Sequence, residues 1–205
     1  MRAIGCAALL AVVYAFTLPP WEIMQIHHRA VEIVIPFLFG LQAALIFAPD
    51  DEPALEVLLA CPRPAAYIIL ERAMTLTAML GGIALLATVV NTQLPLAENI
   101  AIATVRWLVP SLLIGSAALY LSLAAGRANF GLLLSIVMCL SALVGGDYIV
   151  GLQPGLWFAH PYLRPDAVTP EMYAVNRLFL LVIAAVVFVR ALTLSRDEAR
   201  LLNLH

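Results

Sequence analysis

Lysine is missing from this chain: all 11 of its basic residues are arginine. A Walker A phosphate loop and a Schiff-base enzyme both need that amine, so neither chemistry belongs to this polypeptide. Charge of either sign is scarce, with 12% charged against 63% hydrophobic residues. An ordinary soluble domain is roughly one quarter charged. Together with a mean hydropathy of +0.99, this excludes a conventional water-soluble fold and identifies an integral membrane protein. The net charge of −2 and the lack of a basic stripe give no reason to expect nucleic acid as a partner. Cysteine is sparse too. Cys6, Cys61 and Cys139 lie far apart without C-x-x-C spacing, so they read as small apolar fillers, neither zinc ligands nor a disulfide framework. His27 and His28, near Glu22, lack the H-E-x-x-H spacing that sets two ligands on one helical face. No metal site is expected there, and His160, within FAHPY, reads as a hydrogen-bonding loop residue and not as a catalyst.

Apolar runs of membrane-spanning length predict an all-α integral membrane protein. Six transmembrane helices are expected in a single transmembrane domain over residues 1–205, near 3–18, 31–47, 66–90, 100–125, 129–150 and 173–194. No small-x-small cleavage site precedes Pro19-Pro20-Trp21, so the first run is expected to be a retained span. Arginines set the orientation, because positively charged loops stay cytoplasmic. One side would collect Arg2, Arg63, Arg72, Arg127, Arg190, Arg196 and Arg200, and the other Arg29, Arg106, Arg164 and Arg177. Both termini are therefore expected inside, in a bacterial or archaeal cytoplasmic membrane. Residues 151–172 would lie outside, as a broken, interface-hugging segment anchored by Trp157, Phe158 and Tyr162.

Ionisable residues within spans cost several kcal/mol unless paired or wetted, which makes each a functional candidate. Glu32, Arg106, Asp147 and Arg177 share roughly one depth toward the outer ends of their helices. Pairing of Arg106 with Asp147 or Glu32 would hold the outer end of the bundle closed; the competing expectation is that each side chain snorkels to the headgroups. Pro36 and Pro110, with Gly40, Gly81-Gly82 and Gly145-Gly146, mark kinks or close approaches, for which packing is the better explanation than a substrate site.

Between the second and third runs lies a polar island. Asp50, Asp51 and Glu52 precede Pro53 at the start of a short turn, and Pro62-Arg63-Pro64 stops it, as helix-end preferences dictate. Leu55, Leu58 and Leu59 fall on one side of that turn, Glu52 and Glu56 on the other. At 1.5 Å per residue its roughly ten residues cannot cross a bilayer. The island can instead lie on a membrane surface or against a partner.

The pattern Asp51-Glu52-Pro53-Ala54-Leu55-Glu56-Val57-Leu58-Leu59-Ala60-Cys61-Pro62, followed by Ile68-Ile69-Leu70-Glu71-Arg72, resembles the membrane subunit of ABC-2 type ABC transporters. The proline-and-aromatic segment before the last run, with Asn176-Arg177-Leu178 opening that run and Arg196-Asp197-Glu198 closing it, is similar to the same family. The chain departs from the family at Ala54, where glycine is usual. The resemblance implies a permease half of six helices, paired with a second copy or a related chain and driven by cytoplasmic ABC ATPase subunits. It also implies that Asp51, Glu52, Leu55, Glu56, Leu58 and Leu59 form the ATPase-coupling helix. ATP and magnesium would then sit on the partner, with no cofactor and no catalytic residue in this chain. An alternative expectation is a structural or assembly subunit of a larger membrane complex. An intramembrane enzyme would need a nucleophile, base or metal ligands facing one another, which the sequence does not supply.

Overall fold

The computed structural model describes residues 20–46, 64–91, 99–152, 154–163, 165 and 168–196. Among them there are five α-helices, one 3-10 helix and no strand. The α-helices are α1 (Pro20–Ala44), α2 (Ala65–Asn91), α3 (Ile100–Ala125), α4 (Ala128–Leu152) and α5 (Pro170–Leu194), and the 3-10 helix is Pro154–Ala159. Three stretches, Ala65–Val90, Ile100–Ala125 and Pro170–Leu194, are long and apolar enough to cross a membrane. Val31–Ala44 and Ala128–Ala142 are shorter apolar stretches of α1 and α4. The expected first span near 3–18 and the island at 51–61 lie outside the described residues.

Two helix starts need correction. The run at 31–47 marks only the second part of α1, which starts at Pro20. Hydropathy reports what can sit in lipid, and helicity continues beyond it: proline is well tolerated at a first helical position, and residues 21–30 contain no further breaker. With 25 residues, α1 is about 37 Å long at 1.5 Å per residue, longer than the ~30 Å hydrocarbon slab. Likewise α5 starts at Pro170 instead of 173, because Thr169 caps it. The Thr169 hydroxyl accepts from the Met172 N–H at 3.3 Å, and Glu171 in the first turn suits the positive end of the dipole.

Asn99 caps α3 in the same way, its Oδ1 accepting from the Ala101 N–H at 2.9 Å. At the other end Gly126 adopts φ 76°, the left-handed conformation that terminates a helix at least cost when no Cβ is present. Only Gly126 and Arg127 separate α3 from α4, so the two helices return on each other as antiparallel neighbours. Ala43 and Ile46 from α1's end, Ala65 and Ile69 from α2's start, Leu119 and Leu123 from α3's end and Ala191 from α5's end form one buried cluster. That end is termed the base, and the opposite end the crown.

Helix α3 is the hub, with half of its span buried against 22% for the spans of α2 and α5. It is held against α1 and α4 by close backbone approach. A Cβ on Gly131 of α4 would collide with the Ser122 hydroxyl and Ala118 carbonyl of α3 and lie 2.8 Å from Ala44 Cβ of α1. A Cβ on Gly40 of α1 would collide with Ser135 of α4 and lie 2.6 Å from Ile114 Cγ2 of α3. Lipid offers little hydrophobic drive for association, so small residues that let backbones touch supply the packing. By contrast a Cβ on Gly81 or Gly82 of α2 would meet nothing within 4 Å, so these two glycines mark no contact. Pro36 and Pro110 sit inside α1 and α3 and are buried.

Candidate functional site

Three polar elements meet at the crown. Arg106, in the second turn of α3, places Nη1 3.0 Å from Oε1 of Glu32 on α1. Both side chains are mostly covered, at 20% and 24% exposure, so this ion pair is screened less than one on an open surface. The Asp147 side chain, the other expected partner, lies outside what the structure describes.

Arg177 is 5% exposed and does not snorkel. Its Nη1 donates to the Pro161 carbonyl and its Nη2 to the Leu163 carbonyl, both at 2.7 Å. Tyr173, one turn earlier on α5, lies under the guanidinium with its ring centroid 4.7 Å away, a cation–π contact worth more when desolvated. The neighbouring Asn176 is 0% exposed, and its Nδ2 faces the carbonyls of Trp157 and Phe158 at 2.9 Å and of His160 at 3.1 Å. Two successive side chains thus address five loop carbonyls. The Trp157 and Phe158 carbonyls stand near the end of the short helix, and those of His160, Pro161 and Leu163 follow it; backbone donors reach only the Trp157 and His160 carbonyls among the turn bonds, and away from water the rest need side-chain donors.

Residues 154–163 are thereby folded onto α5. Phe158 stacks edge-on against Phe179 at 5.2 Å and Trp157 against Phe158 at 6.2 Å. His160 is a loop hydrogen-bonding residue, its Nδ1 accepting from the Tyr162 N–H at 3.2 Å. The Tyr162 hydroxyl is buried rather than turned to an interface, and burial pushes its phenol pKa up. Glu32, Arg106, Tyr162, Leu163, Pro165 and Arg177 surround a polar cavity of about 10 Å³, near the size of one water.

The base half is different. A cavity of about 550 Å³ lies among α1, α2, α3 and α5, walled by Phe39 and Ile46, Leu70 and Met74, Leu112 and Leu119, and Leu181 and Phe188 among others. That volume falls in the range of ligand sites. Its polar lining residues include Thr77, Ser111 and Ser116. Each of these hydroxyls donates within its own helix, to Ala73 O at 2.8 Å, Trp107 O at 2.6 Å and Leu113 O at 2.9 Å.

Two further bonds fix α2. Trp107 Nε1 donates to Thr88 Oγ1 at 2.9 Å, buried between α3 and α2. Arg72 Nη1 donates to the Ile46 carbonyl just past the end of α1 at 2.7 Å. Of the residues predicted for a site, Glu32, Arg106 and Arg177 meet at the crown, while Asp51, Glu52, Leu55, Glu56, Leu58 and Leu59 lie outside the described residues. Sequence reasoning missed the loop-binding role of Asn176 and the large cavity. A capping threonine followed by proline, and an adjacent Asn-Arg pair after a proline-rich segment, were the signals for the first. Nothing local could signal the second. Among the described residues no group of His, Cys, Asp and Glu is arranged to hold a metal ion.

Comparison with protein-family models, with curated proteins and with solved structures yields no match.

Proposed function

We propose that this chain is the membrane-spanning permease subunit of an ATP-driven transporter of the ABC-2 type, working as an exporter with a second copy or a related chain and with separate cytoplasmic ATPase subunits. The observation that supports it is the asymmetry of the bundle. Its crown is sealed by the Glu32–Arg106 pair and by a loop bound to Asn176 and Arg177, whereas its base half contains a ligand-sized apolar cavity. Alternating access needs such a bundle, closed at one end and accommodating at the other. The six-span topology, with both termini cytoplasmic, belongs to the same proposal.

In this scheme the base faces the cytoplasm, consistent with Arg72, Arg127, Arg190 and Arg196 lying toward it. Residues 51–61 connect α1 to α2 on that side and receive the mechanical work, with Leu55, Leu58 and Leu59 as anchors in an ATPase groove and Asp51, Glu52 and Glu56 facing its arginines. The test is Leu58→Arg in the chain co-expressed with its cognate ATPase. Loss of ATPase co-purification and of cargo-stimulated hydrolysis is expected. Unchanged association together with unchanged stimulation rejects the coupling assignment.

A further inference from the structure

We propose that the 550 Å³ cavity is a binding site for one acyl chain of a phospholipid from the leaflet at the base, with the lipid headgroup lying among the arginines of that end. The inference concerns the cavity alone and stands whether or not the chain moves cargo.

Four observations lead to a hydrocarbon chain as the occupant. The lining is overwhelmingly apolar, and the hydroxyls of Thr77, Ser111 and Ser116 are already committed to carbonyls of their own helices. A polar ligand entering here would give up its hydration without gaining equivalent bonds, whereas an alkyl chain loses nothing. The cavity lies between α2 and α5, whose spans are long and apolar enough to cross a bilayer, so hydrocarbon is the medium at its side. On α2 the lining residues run from 70 to 78, which at 1.5 Å per residue is about 12 Å of depth. One leaflet's share of a ~30 Å hydrocarbon core is about 15 Å, so the cavity matches a chain lying parallel to the helices within that leaflet.

Charge complementarity completes the assignment. Arg72, between the cavity-lining Leu70 and Ala73 in the first turns of α2, is bound to the carbonyl of the cavity-lining Ile46, and Arg190 and Arg196 are exposed near the same end of α5. Guanidinium groups at headgroup level favour a phosphate, so an anionic glycerophospholipid fits better than a neutral lipid or an uncharged alkane.

The experiment reconstitutes the full chain in vesicles of phosphatidylethanolamine and phosphatidylglycerol containing a trace of phosphatidylglycerol with a photoactivatable diazirine in mid-chain, and maps adducts by mass spectrometry. Adducts are expected to concentrate on Leu70, Leu112 and Phe188, which line the cavity and are half-buried, above the level at Leu86 and Val182, which face outward at 69% and 55% exposure. Replacing Ala73 and Ala185, both in the cavity wall, by Trp should reduce the cavity adducts to that outward level and leave Leu86 unchanged. The smaller single change Ala185→Leu should lower them partially and serves if the double variant does not fold. Uniform labelling of cavity and outward positions in the unsubstituted chain overturns the proposal. So does labelling insensitive to both variants, displacement of the lipid label by free fatty acid in preference to unlabelled phosphatidylglycerol, or absence of cavity adducts with disulfide-linked pairs formed by Met74→Cys, which would mean that a second copy of the chain occupies the groove.

Discussion

The seam joining α1, α3 and α4 and the flank where α2 and α5 face the cavity are built from nearly the same alphabet of Ala, Gly, Ser and Leu, yet one brings helices into close contact at Gly40 and Gly131 and the other leaves a ligand-sized space open at its side. The difference lies in where the small residues face. Gly40 and Gly131 point at backbone and small side chains of neighbouring helices, so their missing Cβ atoms become contact. Ala73 and Ala78 of α2 and Ala184 and Ala185 of α5 line the cavity, so their smallness becomes volume. Within a membrane, where apolar burial does not favour helix over lipid, that orientation decides rigidity.

Substitution at the seam should have the largest effect. Gly131→Val forces a side chain against the Ala118 carbonyl, which cannot yield, and is expected to destabilise by about 3 kcal/mol or more, read as loss of the folded fraction in detergent thermal unfolding. A Gly131→Val chain as stable as the parent would break the distinction between seam and flank. Next comes Arg177→Met, which strips the Pro161 and Leu163 carbonyls of their buried donor; a cost of about 2–3 kcal/mol is expected, with faster hydrogen exchange confined to residues 154–163. The ion pair at the crown is smaller. A cycle of Glu32→Gln, Arg106→Met and the double variant should give a coupling of about 1 kcal/mol for this partly covered pair, and strictly additive losses would show that the two side chains do not act together. Smallest is Gly81→Ala, in open space on α2, which should be neutral or stabilising by about 0.5–1 kcal/mol through helix propensity alone.

The helices were legible where lipid and backbone demand the same residues. The run read at 100–125 coincides with α3, and those near 66–90 and 129–150 differ from α2 and α4 by a residue or two at their ends. The start of α1 was not legible from hydropathy, since Trp21 to Arg29 form helix without being apolar. The Thr169-Pro170-Glu171 start signal was present but overshadowed by the apolar run behind it. At the crown the shared depth of Glu32, Arg106 and Arg177 could be read from their positions in the runs. Which acid faces Arg106 could not, because that depends on the rotation of α1 and α3 about their axes. The loop-binding role of Asn176 was not legible for a similar reason: a buried amide declares itself only when the carbonyls that it serves are brought to it by the chain's return. The cavity follows from the spacing of four helices, which no stretch of sequence encodes on its own.

Arg72 binds the Ile46 carbonyl at 2.7 Å, and so ties together the two helices that residues 47–63 connect. A charge-assisted hydrogen bond of that kind is roughly twice as strong as a neutral one. The sparsely buried α2 is thereby moored at its foot to α1, and through the Gly40 contacts of α1 to the tightly packed seam with α3 and α4.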